Sequence, residues 1–242
     1  MSTRIDRVVV TGASSGIGLD LARRFLAEGA RVVLNGRDPE RLEQARRQLG
    51  AEDRVIAVAG PIGEAATGRA LAEAAREAFG GVDVLVNNAG IFGVKPFLES
   101  SEADLDAFYT TNLKGTWLVT RAVVPLMIAG GGGSILNVGT VLVGQGMTSL
   151  PVSAAMASKG GVHALTVSWA AELAKHGIRV NTLAPGIIRT PLIDDADALA
   201  GIHPLGRVGE VQDTSEAALF LARAGFVTGV TLAVDGGYAH GR

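Results

Sequence analysis

Arg7-Val8-Val9-Val10-Thr11-Gly12-Ala13-Ser14-Ser15-Gly16-Ile17-Gly18 is the stretch that decides the fold. Its first four residues form a short β-branched run, suited to a buried strand. Three glycines spaced G-x3-G-x-G then turn the chain, and an amphipathic helical stretch follows over 17–28. With 33 glycines in 242 residues, chance alone gives roughly 0.6 such spacings, so the spacing by itself settles little. Context is what counts. A glycine loop between strand and helix lets an anion such as a pyrophosphate approach the free amides of the helix start. A glycine turn without a ligand is the competing reading.

Outward from this stretch, apolar runs at 30–35, 54–59, 82–87, 134–138, 178–183 and 230–234 read as strands. Helical stretches fall between them at 39–49, 64–79, 102–128, 154–176 and 210–224. Asp38-Pro39 is a strong start signal, an acid at the cap followed by proline in the first turn. Apolar strands alternating with helices predict an α/β fold, a doubly wound parallel sheet covered by helices on both faces. No linker or repeat interrupts the alternation, so residues 1–242 are expected to form a single domain.

Composition narrows the function. Hydrophobic residues make up 48% and charged residues 19%, enough for a large core. The chain has no cysteine, which removes disulfides and thiolate chemistry. A net charge of −2 suggests neither a nucleic-acid surface nor a basic membrane patch. The apolar run at 8–10 is short against the roughly 7–15 residues of a signal-peptide core. Residues 122–158 carry no charge, but Pro125, the glycines at 130–133, Asn137, Gln145 and Ser149 break them up. A spanning helix needs about 20 apolar residues in a row. A cytoplasmic location follows by default. The histidines, His163, His176, His203 and His240, form no metal-binding pair, so no metal is expected.

About 20 residues after the glycine loop, the end of the second strand normally meets a ribose. Here it reads Asn35-Gly36-Arg37. Gly36 leaves no carboxylate, and the Arg37 fork suits a phosphate dianion, although a merely solvated charge is the alternative. Asp38 is better used as the helix cap.

Further motifs follow in order: Asn87-Asn88-Ala89-Gly90, Asn112-Leu113-Lys114-Gly115, Asn181 through Pro185-Gly186 and Thr190, and Val234-Asp235-Gly236-Gly237. With Thr11 to Gly18, they make the sequence resemble the short-chain dehydrogenase/reductase family over nearly its whole length. The resemblance implies a Rossmann-type fold, a nicotinamide cofactor and a homotetramer. It implies cofactor contacts at Gly12, Ser14, Ser15, Gly16, Ile17, Gly18, Ile62, Asn88, Ala89, Gly90, Lys159, Pro185, Gly186, Ile188 and Thr190. It also makes Asn112 a helix-kinking, water-binding asparagine. Arg37 then favours NADP (NADPH) over NAD.

The pattern breaks where the chemistry is expected. The family's proton relay is Tyr-x-x-x-Lys; Lys159 is in place, but Ala155 stands four residues earlier. The two tyrosines, Tyr109 and Tyr238, lie on other segments. Thr140, in Asn137-Val138-Gly139-Thr140, falls where the family has a catalytic serine, 15 residues before Ala155, a slightly long spacing. Pro61 stands where an aspartate commonly meets the adenine. Three explanations stay open: an engineered or inactivated variant, a substrate that arrives protonated such as an iminium, or water relayed through Lys159 and Thr140.

The expectation is an NADP(H)-dependent oxidoreductase, transferring hydride to or from a small, mostly apolar carbonyl, alcohol or imine. Lys159 would hold the nicotinamide ribose and act as an electrostatic donor, and Thr140 would hydrogen-bond the substrate. The alternative is a cofactor-binding protein without turnover, a sensor or inactive subunit. His163 and Trp169 are expected to pack in the core or at an interface, and Ser149 or Ser153 to cap the following helix. Residues 189–206 should cover the substrate. Asp194, Asp195 and Asp197 either attract an amine there or form a solvated face. The apolar helices around 119–127 and 162–173 suggest a homo-oligomer.

Overall fold

Strand β1, Arg7–Val10, shows how one short run serves two cores, because successive side chains point to opposite faces. Val8 and Val10 share a core with Leu21 and Phe25 of α1 (Gly16–Ala27), Leu42 of α2 (Pro39–Leu49) and Leu221 of α7 (Val211–Arg223). Val9 joins the opposite core, with Leu71 of α3 (Ala65–Phe79), Val119 of α5 (Gly115–Ala129) and Trp169 of α6 (Ser153–Leu173). Both faces of the strand are buried, which is why it reads as an unbroken apolar run.

The computed structural model describes residues 5–146, 150–193 and 195–239. The remaining strands are β2 (Arg31–Gly36), β3 (Val55–Ala59), β4 (Val84–Asn87), β5 (Gly133–Val138), β6 (Ile178–Pro185) and β7 (Thr231–Val234). They lie in the order β3-β2-β1-β4-β5-β6-β7, with every neighbouring pair parallel. This is the expected doubly wound sheet. Strand order reverses between β1 and β4, and sheets of this kind hold their ligands in the crevice beyond the carboxyl ends of the strands at such a reversal.

Local signals explain most helix starts. The Asp38 carboxylate accepts from the Glu40 and Arg41 amides at 2.9 and 3.1 Å, with Pro39 behind it, as the sequence indicated. Helix α4 (Glu102–Phe108) begins with a capping box of Ser101 and Asp104. Two helical stretches differ from expectation. Residues 102–128 form α4, a π-helical turn at Tyr109–Lys114, and then α5, with Asn112 buried in the wide turn. Residues 154–176 divide into α6 and a short 3-10 turn at Ala174–His176. Ser153 is the first residue of α6 and caps nothing, because the cap position is Val152. Ser149, Asp194 and His240 lie outside the described residues.

Opposite the crevice, Arg179 of β6 binds the carboxyl end of α7. Its guanidinium donates to the Leu221, Ala222 and Val227 carbonyls at 2.7, 2.6 and 3.2 Å. Among the described residues no helix is long and apolar enough to cross a membrane.

Candidate active site

At the crevice the glycine loop meets the end of β4 backbone to backbone. Gly12 has φ +63°, and a Cβ there would lie 2.7 Å from Ala89 Cα. A Cβ on Gly18 would lie 2.2 Å from the Gly12 carbonyl oxygen and 2.4 Å from Asn88 Nδ2. Thr11 Oγ1 accepts the Asn88 and Ala89 amides, both at 3.0 Å, and Asn88 Nδ2 donates back to the Thr11 and Gly12 carbonyls. Asn88 and Ala89 therefore build the loop, whatever else they touch. Gly16 faces Thr190, whose Cγ2 would be 3.3 Å from a Cβ at 16. Ser14 packs against Gly36 at the end of β2.

The start of α1 is left electrostatically open. Ser15 makes no side-chain bond to the helix, and no acid lies in the first turn. Unsatisfied amides and the positive helix end favour an anion there. Arg37 is exposed just beyond β2, with no ion-pair partner among the described residues. A cradle closed to side chains, an anion-binding helix end and a free guanidinium fit a nicotinamide dinucleotide. Other expected contacts lie along the same edge. Gly186 packs on Asp235, and Ile188 is buried and bridged to Gly209. The Val141 amide donates to the Pro185 carbonyl at 3.3 Å. Ile62 is buried against Gly115, so its side chain belongs to the core, beside an exposed Pro61.

Lys159, on α6, reaches back to the sheet between β4 and β5. Its Nζ donates to the Val138 carbonyl at 2.7 Å. A Cβ on Gly90 would lie 3.1 Å from both Lys159 Nζ and Asn112 Oδ1, so Gly90 keeps this junction clear. Burial lowers the pKa of the ammonium to about 8. Asn112 is fully engaged by protein. Its Oδ1 accepts the Ile91 amide at 2.8 Å, while Nδ2 donates to the Ile91 carbonyl at 3.0 Å and to Ser158 Oγ at 2.9 Å. Ser158 Oγ donates to the Ala155 carbonyl at 2.8 Å. The π turn, the loop after β4 and α6 are thus bound together one residue from Lys159.

The other named side chains fall into place around this junction. Ala155 is buried one helical turn before Lys159, on the same face of α6. Thr140 Oγ1 accepts the Leu142 amide at 3.2 Å, which leaves its hydroxyl hydrogen to donate. The tyrosines belong to other clusters. Tyr109 is exposed beside Leu105, Leu113 and Ala157, and Tyr238 packs with Val141 and Ala184, its ring 5.6 Å from that of His203. His163 is packed, as expected: its enclosed Nε2 presses on Gly139, where a Cβ would lie 2.3 Å away. Burial, reinforced by the Lys159 charge, lowers its pKa, so the ring is neutral at pH 7. Trp169 lies in the core.

Three polar features were not singled out from sequence. One is the Val138 carbonyl that receives Lys159. The second is Ser158, whose available signal is a small hydroxyl within reach of the preceding helical turn. The third is a buried chain of amides and hydroxyls. Asn87 Nδ2 donates to Thr120 Oγ1 and Asn137 Oδ1, Asn137 Nδ2 donates to Thr166 Oγ1, and Thr166 meets Thr182 at 2.7 Å. It ties β4, β5 and β6 to α5 and α6, and so fixes the helix that bears Lys159. In the covering segment, Arg189 grips Asp197 at 2.5 and 3.0 Å and Glu210 at 2.9 Å. Asp197 is therefore occupied by a protein cation.

The short chain dehydrogenase family model matches residues 6–199. The chain is a short-chain dehydrogenase/reductase. It is 41% identical over 240 residues to galactitol 2-dehydrogenase (L-tagatose-forming) of Cereibacter sphaeroides, covering 95% of this chain and 93% of that protein. It is 37% identical over 238 residues to 3-oxoacyl-[acyl-carrier-protein] reductase of Thermotoga maritima, covering 95% and 96%. Among solved structures, L-sorbose reductase from Gluconobacter frateurii, complexed with NADPH and L-sorbose, matches with TM-score 0.91 and 31% identity over the full length of both chains. Short-chain dehydrogenases/reductases are oxidoreductases that bind nicotinamide cofactors.

Proposed function

We propose that this short-chain dehydrogenase/reductase is an NADP(H)-dependent oxidoreductase acting on a small, mostly apolar ketone or secondary alcohol. One juxtaposition supports the reading above others. The sheet reversal sets a side-chain-free cradle, with the unpaired Arg37 beyond it, on the same crevice as Lys159 Nζ between Gly90 and Val138. The cofactor supplies or accepts the hydride. Arg37 pairs with the 2′-phosphate, and the first-turn amides of α1 hold the pyrophosphate. Lys159 holds the nicotinamide ribose and presents positive charge to the substrate oxygen, which the Thr140 hydroxyl also meets. Asn112 holds the loop at Ile91 against α6, its side chain and backbone oxygen both bonded within the protein.

An iminium substrate is the second reading, supported by Ala155, which offers no phenol. The Lys159 ammonium counts against it, because two cations within a few ångströms repel. Residues 1–242 act as one cytoplasmic domain, with 189–206 over the substrate. A homotetramer is supported by the exposed apolar side chains Leu105, Trp117 and Val167 on the outer faces of α4, α5 and α6.

The test follows NADPH consumption with a panel of ketones and cyclic imines, alongside NADPH binding by fluorescence. Binding with ketone-dependent consumption is expected. Binding with no turnover of any compound would make the protein a cofactor-holding sensor or inactive subunit.

A further inference from the structure

We infer that the Lys159 ammonium itself delivers the proton to the substrate oxygen, with no phenol at position 155 standing between them. The inference rests on the oxidoreductase reading above and names the proton donor for that reaction. Nζ lies at the carboxyl ends of β4 and β5, next to the reversal of strand order between β1 and β4. One ammonium hydrogen goes to the Val138 carbonyl. Among the described residues no other hydrogen bond and no carboxylate engages Nζ, so two of its hydrogens have no protein acceptor. Ala155, one turn away, ends at its Cβ.

The rival donors are worse placed. His163 Nε2 is enclosed against Gly139 and Thr182. The Thr140 hydroxyl is a far weaker acid than an ammonium. Tyr109 is on the exposed face of the π turn, and Tyr238 belongs to the Val141–Ala184 cluster. The elements packed on Lys159 bring the Gly90 backbone from the loop after β4, the Asn112 amide from the π turn and the Val138 carbonyl from β5. The titratable group coupled to it is His163, on its own helix. Burial without a counter-charge brings the ammonium to a pKa of about 8, close to the range in which a group can both give and regain a proton.

In reduction, the carbonyl carbon takes a hydride from the reduced nicotinamide, and the C=O π pair moves onto oxygen. An O–H bond forms as one Lys159 N–H bond breaks. The neutral amine then regains its proton from water. Reduction needs the ammonium, so its rate falls as pH rises through about 8. Alcohol oxidation needs the free amine and rises over the same interval.

Lys159→Arg separates proton delivery from charge. Arginine keeps the positive charge and the donors but does not release a proton near neutral pH. Ketone reduction at saturating NADPH, with the cofactor's affinity followed in parallel by fluorescence titration, should fall about 100-fold or more. Reduction within about tenfold of the unaltered protein would leave Lys159 a ribose-holding and electrostatic role, and would overturn the inference while the oxidoreductase reading stands. Tyr238→Phe should keep its activity, and a 100-fold loss there would hand the role to that phenol.

A measurement without turnover stands beside these. Acetic anhydride labelling of Lys159 in the ligand-free protein, followed by mass spectrometry across pH, should rise with a midpoint near 8. A midpoint above about 10, the ordinary lysine value, would overturn the inference. If the unaltered protein binds NADPH and reduces no ketone, the oxidoreductase reading falls as well.

Discussion

On the β1–β2 side of the crevice, Gly12, Gly18, Asn88 and Ala89 are packed so closely that a single added carbon would meet backbone at 2.2 to 2.7 Å. On the β5–α6 side, Thr140, Ala155 and Lys159 are side chains projecting from elements held by other residues. Asn112, Ser158 and the Asn87–Asn137–Thr166 chain fix α6 whatever stands at 155. The first side is shaped by backbone, and changing it disturbs the fold. The second is furnished by side chains, and can lose or change an acid while the cofactor side stays whole. On the proposed reading, cofactor binding and proton delivery are thus separable.

The strongest way to break that comparison is Gly18→Ala. Its Cβ would force apart the loop and Asn88, so NADPH affinity should fall more than about 100-fold in a fluorescence titration. Unchanged affinity would mean that the cradle is not the binding site. Ala155→Tyr probes the other side. At pH 10 only about 1% of an amine with a pKa near 8 stays protonated, so an added phenol should raise ketone reduction about 100-fold there. NADPH affinity should stay within about twofold. No gain at pH 10, with binding intact, would show that the acid is not what limits this side.

Two smaller effects fall outside both sides and sharpen the contrast. Arg179→Met strips two bonds from the carbonyl end of α7 and one from Val227 beyond it, and should cost about 1–3 kcal/mol. Differential scanning calorimetry would read this as a lower Tm, by roughly 2–4 °C per kcal/mol, with NADPH affinity unchanged. Arg189→Gln removes exposed pairs with Asp197 and Glu210, and should leave the urea unfolding midpoint nearly unchanged. A clear fall in the midpoint would make the covering segment part of the cooperative core.

What was legible in the sequence follows the same division. Val8, Val9 and Val10, the glycine loop and Asp38-Pro39 act through backbone and burial, and each formed the element its local chemistry indicated. The helix break at 109–114 was legible only through the resemblance, which made Asn112 helix-kinking; Tyr109 to Lys114 carries neither proline nor glycine to signal it. The wide turn is fixed by long-range bonds from Asn112 to Ile91 and Ser158. Lys159 was legible from its motif, but its Val138 acceptor is a main-chain carbonyl that no residue type advertises. The packing of His163 over Gly139 likewise joins residues 24 apart in sequence, and only the sheet brings them together.

The separation itself is tested most directly at Arg37, which the proposed reading assigns to the cofactor side alone. The affinities of NADP and NAD for the unaltered protein and for Arg37→Ala, measured together with kcat at saturating cofactor, decide it. The account predicts that Arg37→Ala weakens NADP binding about tenfold to a hundredfold, the range of charge-assisted contacts of about 1.5–3 kcal/mol. NAD binding and saturated kcat should stay the same. Equal cofactor preference in both proteins, or a fall in saturated kcat with binding unchanged, would contradict it.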